Sequence, residues 1–105
     1  MVIAETPTFT RLVERLLDAE SYRLLQLELV AHPGRGRVIP GTGGIRKLRW
    51  SGVGRGKRGG IRVIYYWAVE RDIVLLLLIY SKSVRDDLSA DQKRLLRKVV
   101  EEELS

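Results

Sequence analysis

The 105-residue sequence contains no cysteine, which excludes a disulfide framework and a thiolate metal site and makes a reducing cytosol the expected setting. Histidine occurs once, as His32. A lone imidazole makes neither a nucleophilic triad nor a histidine metal site, and its position before Pro33 suits a structural role against helix-terminal carbonyls. Long apolar runs are also missing. The longest, Ile73 to Tyr80, is far shorter than the roughly 20 residues of a membrane helix, so a soluble protein is expected. Met1 to Thr10 carries Glu5 and Pro7 and has no basic stretch leading into an apolar one, unlike a signal peptide. Asp86 and Asp87 are adjacent and so cannot share a face; they read as loop or capping residues, which leaves an ordinary acid-base or metal nuclease with little basis.

The most telling absence is local. Between Glu28 and Glu70 there is no acidic residue, while that stretch holds Arg35, Arg37, Arg46, Lys47, Arg49, Arg55, Lys57, Arg58 and Arg62. These nine cations are part of 19 basic residues set against 13 acids, so the remaining 10 leave the rest of the chain at −3 within a net charge of +6. A basic balance that served solubility alone would mix its signs along the chain. Charge gathered in one segment instead points to a polyanionic partner, a nucleic acid above all.

Length and a 45% hydrophobic content allow one modest core, hence a single domain over residues 1–105. Val2 to Glu5 is a candidate strand. Thr8 or Thr10 can cap a helix whose Phe9, Leu12, Val13, Leu16 and Leu17 follow helical spacing. Asp18 can cap a second helix running to about Ala31, with Tyr22, Leu25 and Leu29 on one face and Pro33-Gly34 as its stop. All ten glycines fall between Gly34 and Gly60, interleaved with strand-like runs at Ile45 to Trp50 and Ile61 to Val69. A third run, Ile73 to Tyr80, follows a turn at Glu70-Arg71-Asp72. Ser89 with Gln92 forms a capping box ahead of a terminal helix carrying Leu95, Leu96, Val99 and Val100. The expected order β-α-α-β-β-β-α is an α+β domain, a mostly antiparallel sheet with helices against one face.

Strand alternation sets Ile45, Lys47 and Arg49 on one face and Arg46, Leu48 and Trp50 on the other. Arg62, Ile64 and Tyr66 share a face of the next strand, and a hairpin brings Arg62 beside the Lys47–Arg49 rail. With helices on one side only, the other side is open to a phosphate chain, held bidentately by arginine and as a point charge by lysine. The glycine-rich stretch Ser51 to Gly60, with Arg55, Lys57 and Arg58, reads as a hairpin loop able to approach a phosphate backbone. Its Gly54-Arg55-Gly56-Lys57-Arg58-Gly59 fits GxGxxG but opens a strand, not a helix, so a dinucleotide site is not expected. Gly56-Lys57 lacks the first glycine and the Ser/Thr of a P-loop. Any catalysis therefore falls to Lys, Arg and Tyr. RNA suits such a set because its 2′-hydroxyl is a built-in nucleophile, and fixed cations stabilise the charge that grows on phosphorus. Tyr80 and Lys82, at the end of the central strand, are candidate proton carriers. Tyr65, Tyr66, Trp50 and Trp67 divide between base stacking and core packing.

Gly41-Thr42-Gly43-Gly44-Ile45-Arg46-Lys47, Gly56-Lys57-Arg58-Gly59-Gly60-Ile61-Arg62-Val63-Ile64-Tyr65-Tyr66, Ile79-Tyr80-Ser81-Lys82 and Asp87-Leu88-Ser89 together resemble the HigB branch of the RelE-like toxins of bacterial toxin-antitoxin modules. The likeness extends to the helical hairpin around Tyr22-Arg23-Leu24-Leu25-Gln26. It implies a RelE-like fold and a cytoplasmic toxin that cleaves messenger RNA at the ribosome without a metal or other cofactor. It also implies a cognate antitoxin, a helix-turn-helix protein, as partner. Arg62 matches the arginine that contacts the scissile phosphate in relatives, and Lys47 and Arg49 match their basic strand positions. The expected catalytic set is Arg62, Lys47, Arg49, Tyr80 and Lys82, with Arg46, Arg55, Lys57, Arg58 and Tyr66 on the RNA. The chain departs from many RelE-like toxins in having Tyr80-Ser81-Lys82 where they have an arginine, and no tyrosine after it. A ParE-like gyrase inhibitor, which shares the fold, and a non-catalytic nucleic-acid-binding module are the alternative readings.

Overall fold

Thr6 is where the chain first commits to helix. In the computed structural model, which describes residues 1–51, 60–85 and 87–105, Thr6 Oγ1 accepts from the Phe9 amide at 3.1 Å and donates to the Leu77 carbonyl at 2.9 Å. The cap of the first helix, α1 (Pro7–Leu16), is therefore Thr6 and not Thr8 or Thr10. One hydroxyl serves both the helix end and a neighbouring strand, and Pro7 fills the first helical position, where its missing N–H is no loss. The second helix, α2 (Ala19–Ala31), starts as the sequence predicts, with the Asp18 carboxylate accepting from the Ser21 amide at 2.7 Å. Phe9, Val13 and Leu17 of the first stripe are buried, and so are Leu25 and Leu29 of the second.

Five strands form one sheet in the order β1-β5-β4-β3-β2: β1 (Val2–Glu5), β2 (Arg37–Val38), β3 (Ile45–Trp50), β4 (Ile61–Ala68) and β5 (Ile73–Ser81). Pairings are antiparallel except β1 with β5. The expected β-α-α-β-β-β-α order holds, with the two-residue β2 added beyond what periodicity reveals. The β4–β5 register shifts at Ile64/Tyr65, where Leu78 and then Leu76 are the partners. The intervening Leu77 is the extra residue of a bulge, and its carbonyl takes the Thr6 hydroxyl. A β-bulge turns the strand beyond it, here the end that carries Tyr80. Between β4 and β5 a short 3-10 turn at Val69–Arg71 ends on Asp72 at φ 55°, a left-handed position that aspartate tolerates.

The two N-terminal helices share one face, as the expected fold class has it, whereas the third lies on the other face, so the sheet is not left open on one side. α1 and α2 cover the side of Leu48, Val63, Tyr65, Val74, Leu76 and Ile79. The third helix, α3 (Ala90–Glu103), packs Leu96, Val99 and Val100 against the opposite side, with Ile45, Ile64, Leu75, Leu77 and Tyr80. The reason lies in the strands. β4 and β5 are apolar on both faces across their middle, so leaving one side bare would expose Ile64, Leu75 and Leu77, each costing about 1.5–3 kcal/mol of hydrophobic stabilisation. The capping box is present as read, Ser89 Oγ accepting from the Gln92 amide at 3.1 Å and Gln92 Oε1 from the Ser89 amide at 2.8 Å.

The α1–α2 side also anchors the glycine-rich connector that follows. Tyr65 donates its hydroxyl to the Pro33 carbonyl at 2.7 Å and accepts the Gly36 amide at 2.8 Å. Burial raises the Tyr65 phenol above its ordinary pKa, which keeps the proton for that donation. A Cβ at position 36 would lie 2.8 Å from the Tyr65 ring, so the close approach requires glycine.

Candidate functional site

Antiparallel register, not sequence spacing, decides which cations meet. Arg49 stands opposite Arg62, and Arg62 opposite Tyr80, so that Arg49, Arg62 and Tyr80 form one row across β3, β4 and β5. The next row is Arg37, Lys47, Ile64 and Leu78, running from β2 to β5. Directly opposed residues lie on the same face with Cβ atoms about 5 Å apart. Arg37, Lys47, Arg49, Arg62 and Tyr80 thus share the α3 side of the sheet, near the end where β3 stops and β4 begins.

That end of the face is not open, which corrects the expectation of a bare positive rail. Arg49 is exposed and Lys47 half-buried, whereas Arg62 is only 4% and Tyr80 only 7% exposed. Part of the cover is polar. Asp87, in the segment leading into α3, accepts from Lys47 Nζ at 2.7 Å across 40 residues of sequence. Lys47, by hydrogen bond and by charge, holds the Asp87 carboxyl below its ordinary pKa, and the charges of Lys93 and Arg62 act in the same direction. Arg62 Nη1 reaches the carbonyl of Ile61 at 3.4 Å. A guanidinium keeps its charge even when buried, so Arg62 carries a fixed positive charge through a low-dielectric wall of the site.

Beside this pair lies a cleft of about 300 Å³ lined by Arg37, Val38, Ile39, Pro40, Lys47, Asp87, Leu88 and Lys93. Three cations, one carboxylate and an apolar floor meet there. The sequence alone counts Arg37 among the nine cations without a role, reads Asp87 as a loop or capping residue and does not single out Lys93. The two-residue β2, which aligns Arg37 with Lys47, is too short to show periodicity. Nothing near Asp87 in the sequence signals a contact with β3.

The other expected residues divide. Tyr66 is half-buried and packs with the α3 core, on the face of Arg62. Lys82 is exposed just past β5, its amide donating to the Gly60 carbonyl at 2.9 Å, one step beyond the Ile61–Ser81 pair. Arg46 points to the opposite face and donates to the carbonyls of Gly34 at 3.1 Å and Gly36 at 2.7 Å; the fold does not bring it to Lys47 and Arg62. Trp50 is on that same opposite side and donates to Ser21 Oγ at 3.1 Å. Arg55, Lys57 and Arg58, with the loop that carries them, lie outside the described residues, as does Asp86.

The arrangement of the chain matches a solved structure of the E. coli toxin RelE, the free state of a variant with two arginine-to-alanine substitutions. The TM-score is 0.58 at 12% sequence identity, over 80% of this chain and 85% of that one. At that identity the likeness is one of fold, and this chain has the RelE-like α+β architecture. No protein-family model matches the sequence. Among the described residues no helix is long and apolar enough to cross a membrane.

Proposed function

We propose that this protein is the toxin of a bacterial toxin-antitoxin module, of the HigB branch of RelE-like proteins, and that it cleaves messenger RNA on the ribosome without a metal. The observation that carries the reading is the row Arg49–Arg62–Tyr80, locked by strand register one step from Lys47 on a RelE-like sheet. Cytoplasmic location, a helix-turn-helix antitoxin and the ribosome as partners belong to the same proposal. The resemblance in sequence supports them and the basic middle segment is compatible with them.

The chemistry needs little from the protein. The 2′-hydroxyl of one nucleotide attacks the adjacent phosphorus and the 5′-oxygen of the next leaves, which yields a 2′,3′-cyclic phosphate. One proton leaves the attacking oxygen and one must reach the leaving oxygen. Arg62, desolvated and permanently charged, stabilises the extra charge of the phosphorane, and Lys47 and Arg49 align the flanking backbone. Lys57 and Arg58 add phosphate contacts along the strand, with Arg55 as a further contact and Tyr66 as a stacking surface. Tyr80, directly opposite Arg62, and Lys82 are the proposed proton carriers. Strand register sets the Tyr80 side chain beside that of Arg62, so a proton carrier and a fixed charge would act on the same phosphate.

Incubation of the purified protein with translating ribosomes, followed by mapping of transcript ends, tests the proposal. New 5′-hydroxyl ends within open reading frames are expected on translating ribosomes, and not on the same transcripts without ribosomes. Intact transcripts combined with inhibition of gyrase supercoiling would replace it with the ParE-like reading.

A further inference from the structure

The cleft beside the Arg49–Arg62–Tyr80 row holds a carboxylate where its cations are densest. Lys47 comes from β3, Arg37 stands opposite it on β2, and Lys93 reaches in from the first turns of α3. Among the described residues that line the cleft, Asp87 is the one acid. Its side chain is 79% exposed, whereas that of Lys47 is only 24% exposed, so Asp87 reaches the lysine from the solvent side. A ligand approaching Lys47 from solvent meets Asp87 first. A carboxylate and a phosphodiester each present anionic oxygens to an ammonium at the same distance, about 2.8 Å, and one lysine flanked by Arg37 and Lys93 cannot hold both at full strength.

We infer that Arg37, Lys47 and Lys93 form a subsite for a backbone phosphodiester of RNA next to the scissile one, and that Asp87 is its resting internal occupant, displaced when RNA binds. The inference rests on the proposed function for its ligand and adds to it three residues, Arg37, Lys93 and Asp87. Asp87 is a competitor here and not a catalytic residue. Without RNA it neutralises Lys47 among like charges; with RNA a phosphate takes over that task and the carboxylate swings into solvent. The exchange is feasible because the pair is exposed on the Asp87 side, where ion pairs are weak and screened by salt. The apolar floor of Val38, Ile39 and Leu88 lowers the local dielectric and strengthens whichever anion is seated.

The test is binding of a short 2′-O-methyl RNA oligonucleotide, whose blocked nucleophile prevents cleavage, measured by fluorescence anisotropy across a salt series. Asp87→Asn is expected to bind roughly two- to fivefold more tightly than the wild type at low salt, the range that exposed ion pairs supply. The gain should shrink as salt rises, because screening weakens the internal ion pair that competes in the wild type, so the log affinity of Asp87→Asn falls more steeply with log salt. Asp87→Glu should keep wild-type behaviour. Arg37→Gln and Lys93→Gln should weaken binding, and in a Lys47→Met background the gain from Asp87→Asn should vanish. Thermal melts of each variant confirm folding, and Asp87→Ser repeats the arm if the asparagine variant melts early. Asp87→Asn and Asp87→Ser binding no more tightly than the wild type, while Lys47→Met still weakens binding, would overturn the subsite and leave the proposed function standing. Wild-type protein that binds no RNA, free or on translating ribosomes, would overturn both.

Discussion

The two faces of the sheet are built from the same strands and solve different problems. On the α1–α2 side the core is sealed by Phe9, Leu25, Leu29 and Tyr65, all fully buried. Its polar groups are turned to structural use: Tyr65 on Pro33 and Gly36, Arg46 on Gly34 and Gly36, Trp50 on Ser21. On the α3 side the helix contributes half-buried residues and none that is fully buried. Its cover at the end where the cations gather includes a polar contact, Asp87 on Lys47. A strand presents alternate residues to opposite sides, so one side could take on stability and leave the other to hold charge. Buried arginine is tolerable on the second side because phosphate-binding sites gain from low dielectric as much as a core loses by it.

That comparison can be broken by substitutions aimed at one face at a time. The largest effect is expected from Phe9→Ala, which removes a fully buried ring that lies 6.0 Å from that of Tyr22. It should cost about 3–5 kcal/mol, a fall of more than ~12 °C in melting temperature for a domain of this size, with RNA cleavage per folded molecule unchanged well below the melt. Arg62→Gln should do the reverse, lowering cleavage by about a hundredfold or more while the thermal melt stays near the wild type. A matched loss of stability would make Arg62 a structural residue. Ser89→Ala removes half of the capping box and should cost about 1 kcal/mol. Hydrogen exchange should then quicken in α3 and not in α1 or α2, if the α3 layer is the weaker one.

The smallest effect concerns the Lys47–Asp87 pair. Because Lys47 depresses the Asp87 pKa in the folded state, the stability it contributes is present above the unfolded aspartate value, about 3.9. It is lost as pH falls through the lower folded value. An NMR titration should place the Asp87 midpoint below the ordinary one and move it up in Lys47→Met. On the other face, burial and the Glu5 carboxylate raise the Tyr22 pKa. The Tyr22 contribution is complete below the unfolded tyrosine value, about 10, and should decline at strongly alkaline pH, the opposite end of the scale.

Much of this architecture was legible because its signals are local. Asp18 and the Ser89–Gln92 box start the second and third helices as read, and the β3 to β5 runs fall within a residue of their expected bounds. The sequence reading weighs Thr8 and Thr10 as the first cap and passes over Thr6, although Pro7 just after it suits a first helical position; in the fold the Thr6 hydroxyl also reaches the Leu77 carbonyl, 71 residues away. Arg46 was grouped with its neighbours by charge, yet its guanidinium closes on the connector before β2.

By itself the sequence determined which of the longer segments are helix or strand, where the positive charge is concentrated and which side chains share a strand face, since each follows from spacing over a few residues. It left open which side of the sheet α3 would cover, because an amphipathic stripe states that it must be buried and not against what. Only the tertiary structure decided that Arg49, Arg62 and Tyr80 stand in one row and that Asp87 closes on Lys47. Those contacts join residues far apart along the chain, and their partners are selected by the bulge in β5 and by the β3–β4 register, neither of which is written in any short stretch of residues.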